Sequence, residues 1–417
     1  MNFYIQSLFI AIPTFILMIF VEMFFARIKG IKVNEQADII SSLSSGMTNT
    51  IKDVFKLSIV IISYSWLVDT LVIFKLEPLW LAIFIAFLVQ DFTGYWMHRL
   101  NHRVNIFWNR HIIHHSSEEF NLSCALRQSI SETFRFSAIL MIPAALLGIP
   151  LKIFAILGPI HLFMQFWYHT RLIDRMGLLE KIIVTPSHHR VHHAINPQYL
   201  DKNYGQILIV WDKLFNTFQE ELRDVRPVYG TLRPVSTWNP ILINFKHFFQ
   251  LLQDAWYAEN TIDKLKIWFM PTGWRPEDVE NKFPLKQIEN PYDQVKYKTK
   301  NTKGLLAWSW IQHVIAGIMM LHLFVVMNAS NPSLLDYLYG VFIFSHIFSL
   351  TSLLDFKKYS ILVELFKMIL GLVLLYVQGN TWYNLDGIII LPIVVYLMIS
   401  MSLNVFFLFE REDPISA

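Results

Sequence analysis

The stretch LWLAIFIAFLVQDFTGYWMHRLNHRVNIFWNRHIIHH, residues 79–115, joins an apolar run directly to a group of imidazoles. Residues 79–97 supply the roughly 18 to 20 apolar positions that an α-helix rising about 1.5 Å per residue needs to cross a bilayer core. His98 and His102 close that run four residues apart, so on a helix they share one face and can aim at one point. His111, His114 and His115 follow as His-x2-His-His, with an i,i+4 pair and an i+3 neighbour beside it. The stretch reads as a membrane helix that delivers ligand chemistry at one of its ends.

The rest of the chain agrees with a membrane setting. Of its 417 residues 54% are hydrophobic and only 16% charged, where soluble domains carry about 25% charged residues. A soluble domain is excluded on that balance. Aromatics reach 15%, with 34 Phe and 13 Trp, which suits lipid-facing helices and interfacial belts. A net charge of +3 leaves no electrostatic footprint for nucleic acid. The single cysteine, Cys124, rules out an internal disulfide, a Cys-ligated iron–sulfur cluster and a four-thiolate zinc site. Any metal must be held by nitrogen or oxygen.

Further apolar runs at 3–25, 54–74, 134–149, 151–168, 305–328, 333–355, 359–379 and 386–409 predict an all-α, polytopic integral membrane protein. The first run has no basic leader or small-residue cleavage site and ends at Arg27, Lys29 and Lys32, so it is expected to stay as a span. The short run 134–149 meets its successor at Gly148-Ile149-Pro150, which suggests a hairpin dipping into the membrane. Threading the runs alternately with residue 1 outside puts nearly every Lys and Arg on one face, Lys75, Lys152 and Lys367 excepted. The positive-inside rule makes that face cytoplasmic. His98, His102, residues 103–133, His169 and the polar stretch 171–303 all fall there, the last expected as a cytosolic helical cap. Two units are expected: a catalytic membrane domain with its cap at 1–303, and a C-terminal transmembrane helical extension at 304–417.

Eleven of the 15 His lie between 98 and 193. The third group is His189-x2-His192-His193, and Thr185 can cap its helix with Pro186 in the first helical position. The preceding run adds His161, Gln165 and His169 in a stripe spaced by fours, with His169 the best further ligand and His161 lying deeper. One His on an apolar helix is more often a packed core residue than a ligand. Three phased groups on one membrane face form a ligand pattern, and eight or nine imidazoles exceed the needs of one ion. The pattern implies two ions, and imidazole accepts iron and zinc alike.

Four segments carry a resemblance: residues 91–128, QFWYHT at 165–170, TPSHHRVHH at 185–193 and DKNYGQILIVWDKLFNTF at 201–218. With them the chain resembles the fatty acid hydroxylase and sterol desaturase superfamily of membrane di-iron oxygenases, most of all its alkylglycerol monooxygenase family, over about the first 280 residues. The resemblance implies that His98, His102, His111, His114, His115, His189, His192 and His193 bind two irons, with His169 a ninth ligand. It implies O2 as co-substrate and a tetrahydrobiopterin or another external reductant. The reaction it implies is hydroxylation of the carbon beside the ether oxygen of an alkylglycerol, which then collapses to a fatty aldehyde and a glycerol compound. The chain departs at Arg103, where animal members carry an acidic residue. Sterols, fatty acyl chains, sphingolipids and carotenoids are the competing substrates within the superfamily.

Asp91, Glu118, Asn121 and Gln165 are the expected acceptors for the outer nitrogens of the ligands. A solvated loop is the plainer reading of Glu119, and Asp212 either orients a ligand or pairs with a cation of the cap. His188 could replace His189, although the x2 spacing favours His189. His313, His322 and His346 form no ligand spacing and are expected to pack. Neither a dinucleotide fingerprint nor a phosphate-binding loop is present, so electrons come from an external donor. The expected partners are a membrane lipid substrate, that donor and the bilayer. Two other classes stay open from the residues alone, a metal transporter and a zinc hydrolase. A transport path would line the bilayer midplane, whereas these His sit at helix ends.

Overall fold

Among the described residues of the computed structural model, six helices are long and apolar enough to cross a membrane, at Ile5–Ile28, Leu79–Arg103, Lys303–Val326, Leu334–Leu354, Ser360–Val377 and Gly387–Phe409. The structure describes residues 3–33, 35–327 and 331–410. Within that range the longer helices are α1 (Phe3–Ile28), α2 (Gln36–Val54), α3 (Tyr64–Leu71), α4 (Leu79–Arg103), α5 (Leu151–Phe166), α6 (Pro186–His192) and α7 (Pro240–Tyr257). The C-terminal bundle follows as α8 (Lys303–Val326), α9 (Leu334–Leu354), α10 (Ser360–Val377) and α11 (Ile390–Phe409). The expected all-α character holds apart from a two-residue parallel ladder that pairs Ile59 with Phe134 and Val60 with Arg135.

The expected span at 54–74 does not form. The chain leaves α2 at Phe55, turns through a left-handed Lys56 (φ 53), makes its half of the ladder at Ile59–Val60 and enters the eight-residue α3, capped by Ser63. Leu57, Ile59, Val60, Ile61 and Trp66 are exposed there. The long path runs instead through α2, which reads as polar. Ala37 and Ile40 pack with Leu305, Trp308, Leu350 and Leu353 at one end of the bundle. Ile51, Val54 and Phe55 pack with Met320, Leu323, Phe324 and Tyr339 at the other. Ser41, Ser42, Ser44, Ser45 and Thr48 are fully buried between these ends. Hydropathy reports contact with lipid, and a helix sheathed in protein escapes it.

The hairpin expectation agrees with the structure. A 3-10 turn at Ser137–Met141 and a short helix at Ile142–Leu146 lead to Gly148, and α5 returns. Gly148 takes φ +62, and a Cβ there would lie 2.9 Å from the Phe74 carbonyl oxygen, so the turn requires glycine. Both limbs are shorter than a span. They share a core with α3 and α4 through Tyr64, Leu67, Ala82, Ala86, Ala144 and Phe154.

Residues 171–302 form α6, the 18-residue α7, shorter helices and coil, and they lock onto α4. Asp91, inside α4 and fully buried, accepts from the main-chain N–H groups of Ile207 and Leu208 and from the Trp211 indole, at 2.9–3.1 Å. Asn105 donates to the carbonyls of Ile267 and Trp274. The bundle has a polar interior of its own: Glu364 and Lys367 pair at 2.5 Å with no exposure. Ser349 and Ser400 also donate to Glu364.

Candidate metal centre

Four pieces of chain bring nine imidazoles to one place. α4 ends in His98 and His102, and the single turn Ile112–His115 with its preceding residue supplies His111, His114 and His115. The residue three past the end of α5 is His169, and α6 with its C-terminal residue carries His189, His192 and His193. Pro186 opens α6 in the first turn as expected. Thr185 occupies the N-cap position, but its hydroxyl donates to Glu180 Oε1 at 3.1 Å rather than accepting from the helix. The expected cap is therefore absent, and a carboxylate one loop away accepts the hydroxyl's hydrogen bond.

The nine rings divide into two groups. His98, His102, His111, His115 and His192 form one, and His114, His169, His189 and His193 the other; within each, the ligating atoms lie within 4.8 Å of one another. Tautomers follow from the outer partners, because a carbonyl can only accept. His98 Nδ1 lies 2.8 Å from the Tyr204 carbonyl, His192 Nδ1 2.9 Å from that of Lys202 and His114 Nδ1 3.3 Å from that of Arg127. Each of these rings therefore carries its proton on Nδ1 and turns a lone pair inward on Nε2.

The inward nitrogens crowd together. Nε2 separations are 2.9 Å for His98–His111, 3.1 Å for His102–His115, 3.1 Å for His114–His193 and 2.8 Å for His169–His189. Lone pairs aimed at one point repel unless a cation lies between them. Nitrogens bound at about 2.1 Å stand about 3.0 Å apart at right angles and about 3.4 Å apart at tetrahedral angles, so the spacings are those of ligand edges around an ion. Burial, with the neighbouring imidazoles second, holds His111, His115, His189, His192 and His193 well below the usual histidine range, and burial brings His114 down to about 3. These rings are neutral at pH 7, as ligands must be. The donor set fits two metal ions.

The expected acceptors are elsewhere. Asp91 pins residues 207–211, as described above. Glu118 accepts from the Tyr297 N–H at 2.6 Å, Asn121 donates to the Val33 carbonyl at 2.7 Å, and Gln165 donates to Gln206 at 3.4 Å. The outer nitrogens are met mainly by main-chain carbonyls, which no side-chain pattern announces. The exception is Asp201, whose Oδ1 lies 3.6 Å from His102 Nδ1; it stands in the DKNYG segment eight residues after His193. Asp212 acts one step further out, accepting from the N–H groups of Tyr204 and Gly205 at 2.8 and 2.7 Å. Glu119 pairs with Arg171 and Lys296 rather than standing free in solvent.

The other histidines stand apart from both groups. His188 packs edge-on against Phe218, and His161 sits near Phe87. His313 meets Ser44, His322 meets Tyr339, and His346 meets the Gln312 carbonyl and Tyr396, so all three pack as expected.

Comparison with known proteins places these residues in context. The family model described as fatty acid hydroxylase matches residues 83–217. Alkylglycerol monooxygenase from Danio rerio is 36% identical over 337 residues, covering 78% of this chain and 70% of the relative. That from Xenopus tropicalis is 33% identical over 339 residues, covering 81% and 75%. The Homo sapiens protein of the same name is 40% identical over 269 residues, 64% of this chain, and the match spans 59% of that relative's length. No solved structure matches the chain.

Proposed function

The chain belongs to the alkylglycerol monooxygenase family, within the fatty acid hydroxylase group, and from that premise we propose that it is a membrane di-iron monooxygenase that cleaves the ether bond of alkylglycerols. The observation that carries this reading is the division of nine neutral, converging imidazoles into two adjacent groups. His98, His102, His111, His115 and His192 would hold one ion, and His114, His169, His189 and His193 the other. Iron bound there would supply the reductive activation of O2 that hydroxylation of the C–H bond beside the ether oxygen requires.

In balance, the ether carbon, O2, two electrons and two protons give a hemiacetal and water. The hemiacetal then breaks its C–O bond to release a fatty aldehyde and a glycerol derivative. The electrons come from an external donor, tetrahydrobiopterin or another reductant. The protein's own part is to keep the rings deprotonated at Nε2, fix their orientation through Tyr204, Lys202 and Arg127, and exclude water by burial. Nearly all Lys and Arg fall on the side of the membrane where α4 ends in its histidines, which supports a multi-pass protein whose centre and 171–303 cap face the cytoplasm.

The test is to supply iron-loaded purified protein with a 1-O-alkylglycerol, O2 and a reduced pterin, then to repeat it with other reductants. Fatty aldehyde is the expected product. Its absence with every reductant, alongside oxidation of a sterol or an acyl chain, would move the enzyme to another branch of the superfamily.

A further inference from the structure

The two histidine groups are supported very unequally from outside. In the five-histidine group the outer nitrogens of His98, His192 and His102 face the Tyr204 carbonyl, the Lys202 carbonyl and the Asp201 carboxylate, at 2.8, 2.9 and 3.6 Å. All three acceptors come from one four-residue segment. In the four-histidine group His114 has the Arg127 carbonyl at 3.3 Å and His169 only the carbonyls of its own turn, at Gln165 and Phe166, while the Nδ1 atom of His189 meets no hydrogen-bond partner among the described residues.

The segment is held in an unusual shape. Asp201 and Asn203 both adopt left-handed backbone, at φ 58 and 56, a conformation that side chains other than glycine seldom take. Asn203 braces it by donating to the carbonyls of His188 and Gln219, at 3.1 and 2.7 Å, while accepting from the Gln219 N–H. Asp212 braces the far end through the N–H groups of Tyr204 and Gly205. That left-handed shape, which Asp and Asn adopt more readily than other non-glycine residues, aims three acceptors at three rings.

We propose that Asp201 is a positioning residue that makes the two ion positions inequivalent, so that the five-histidine group binds its ion first and most tightly, with the neighbouring Arg103 setting how strongly. A carboxylate facing Nδ1–H orients the ring and raises the donor strength of Nε2 more than a neutral carbonyl does. Arg103 Nη1 lies 3.0 Å from the other carboxylate oxygen and draws charge away from His102. Asp201 and Arg103 are 41% and 55% exposed, so substitutions there leave the buried core intact. The inference rests on the two-ion reading of the site.

The experiment titrates full-length, detergent-purified, metal-free protein with cobalt(II), following ligand-field absorption, with a thermal midpoint as the check on folding. Wild type takes up two equivalents in two resolved steps. Asp201→Asn weakens the tighter step about tenfold or more and leaves the weaker one in place, Asp201→Glu recovers part of the loss, and Arg103→Ala tightens the same step. Unchanged steps and spectrum in Asp201→Asn, or equal weakening of both steps, would overturn the assignment. A wild type that takes up fewer than two equivalents would remove the two-ion reading itself, a result distinct from the failure of Asp201's role.

Discussion

The metal-bearing unit and the C-terminal bundle both bury polar side chains, and they dispose of them in opposite ways. In the bundle, Glu364 and Lys367 neutralise each other, Ser349 and Ser400 complete the carboxylate, and Lys367 donates to Ser400. In the histidine-bearing region, the nitrogens of five and four rings converge on one another within 4.8 Å, and His98, His114 and His192 turn lone pairs inward because their Nδ1 atoms face carbonyls. A buried group whose partner is another side chain completes the fold. Buried groups that share an unfilled direction define a ligand. The imidazoles make a site and the ion pair makes a scaffold.

That contrast is open to direct attack. The largest effect belongs to the rings: His115→Ala should reduce turnover by at least about a hundredfold and lower bound metal, with helical circular dichroism unchanged. Turnover near wild type would erase the distinction. Next comes the bundle, where Lys367→Ala leaves a buried carboxylate uncompensated and should cost about 3–5 kcal/mol, read as a lower unfolding midpoint. Metal content per folded molecule should stay constant, and a selective loss of metal would join the two regions functionally. Replacing the pair together, Glu364→Leu with Lys367→Met, should recover most of that loss.

Between the two extremes lies Asp91, a buried carboxylate satisfied in the manner of the bundle yet located in α4. Asp91→Ala strands two main-chain donors and an indole, at about 1–3 kcal/mol for each donor that finds no water, so stability falls before metal binding does. Equal loss of both would return Asp91 to the expected role of orienting a metal-binding ring.

A smaller effect is expected from acid. His247 accepts no proton readily because burial lowers its pKa to about 4, against about 6.5 in an unfolded chain. The unfolded state therefore binds the proton first, and this contribution to stability is complete above about pH 6.5 and is lost as the pH falls toward 4. Melting of metal-free protein at pH 7 and pH 5 should show a lower midpoint at pH 5, and His247→Gln should narrow that gap. The smallest effect is at Cys124, 1% exposed and pushed up to about 12 by burial, which should resist thiol reagents until the protein is denatured.

What the sequence discloses depends on the interaction that fixes each feature. The converging rings are readable because i,i+4 spacing is a side-chain pattern, and all nine expected positions, His169 included, meet in the two groups that could hold a metal. The bundle is readable because its helices face lipid. The passage through α2 is hidden because Ser41, Ser44 and Thr48 face protein, and the apolar 54–74 misleads because exposed irregular chain can be as hydrophobic as a span. The outer acceptors are hidden for a third reason: Lys202, Tyr204 and Arg127 contribute carbonyls, which every residue has. Asp201 alone left a trace, an acid lying between Asn196-Pro197 and Asn203 just beyond the last histidine group.

Arg127 carries a consequence of its own. Its carbonyl meets His114, while its guanidinium reaches Asp38 at 2.6 Å, Ser42 at 3.0 Å and Ser116 at 2.6 Å, the first two on α2. Since α2 is wedged along the bundle, the attitude of one imidazole is inherited from helices more than 180 residues downstream in the chain. The C-terminal helices are thus a foundation for the centre, and engineering that trims them would tilt a ring it never touches.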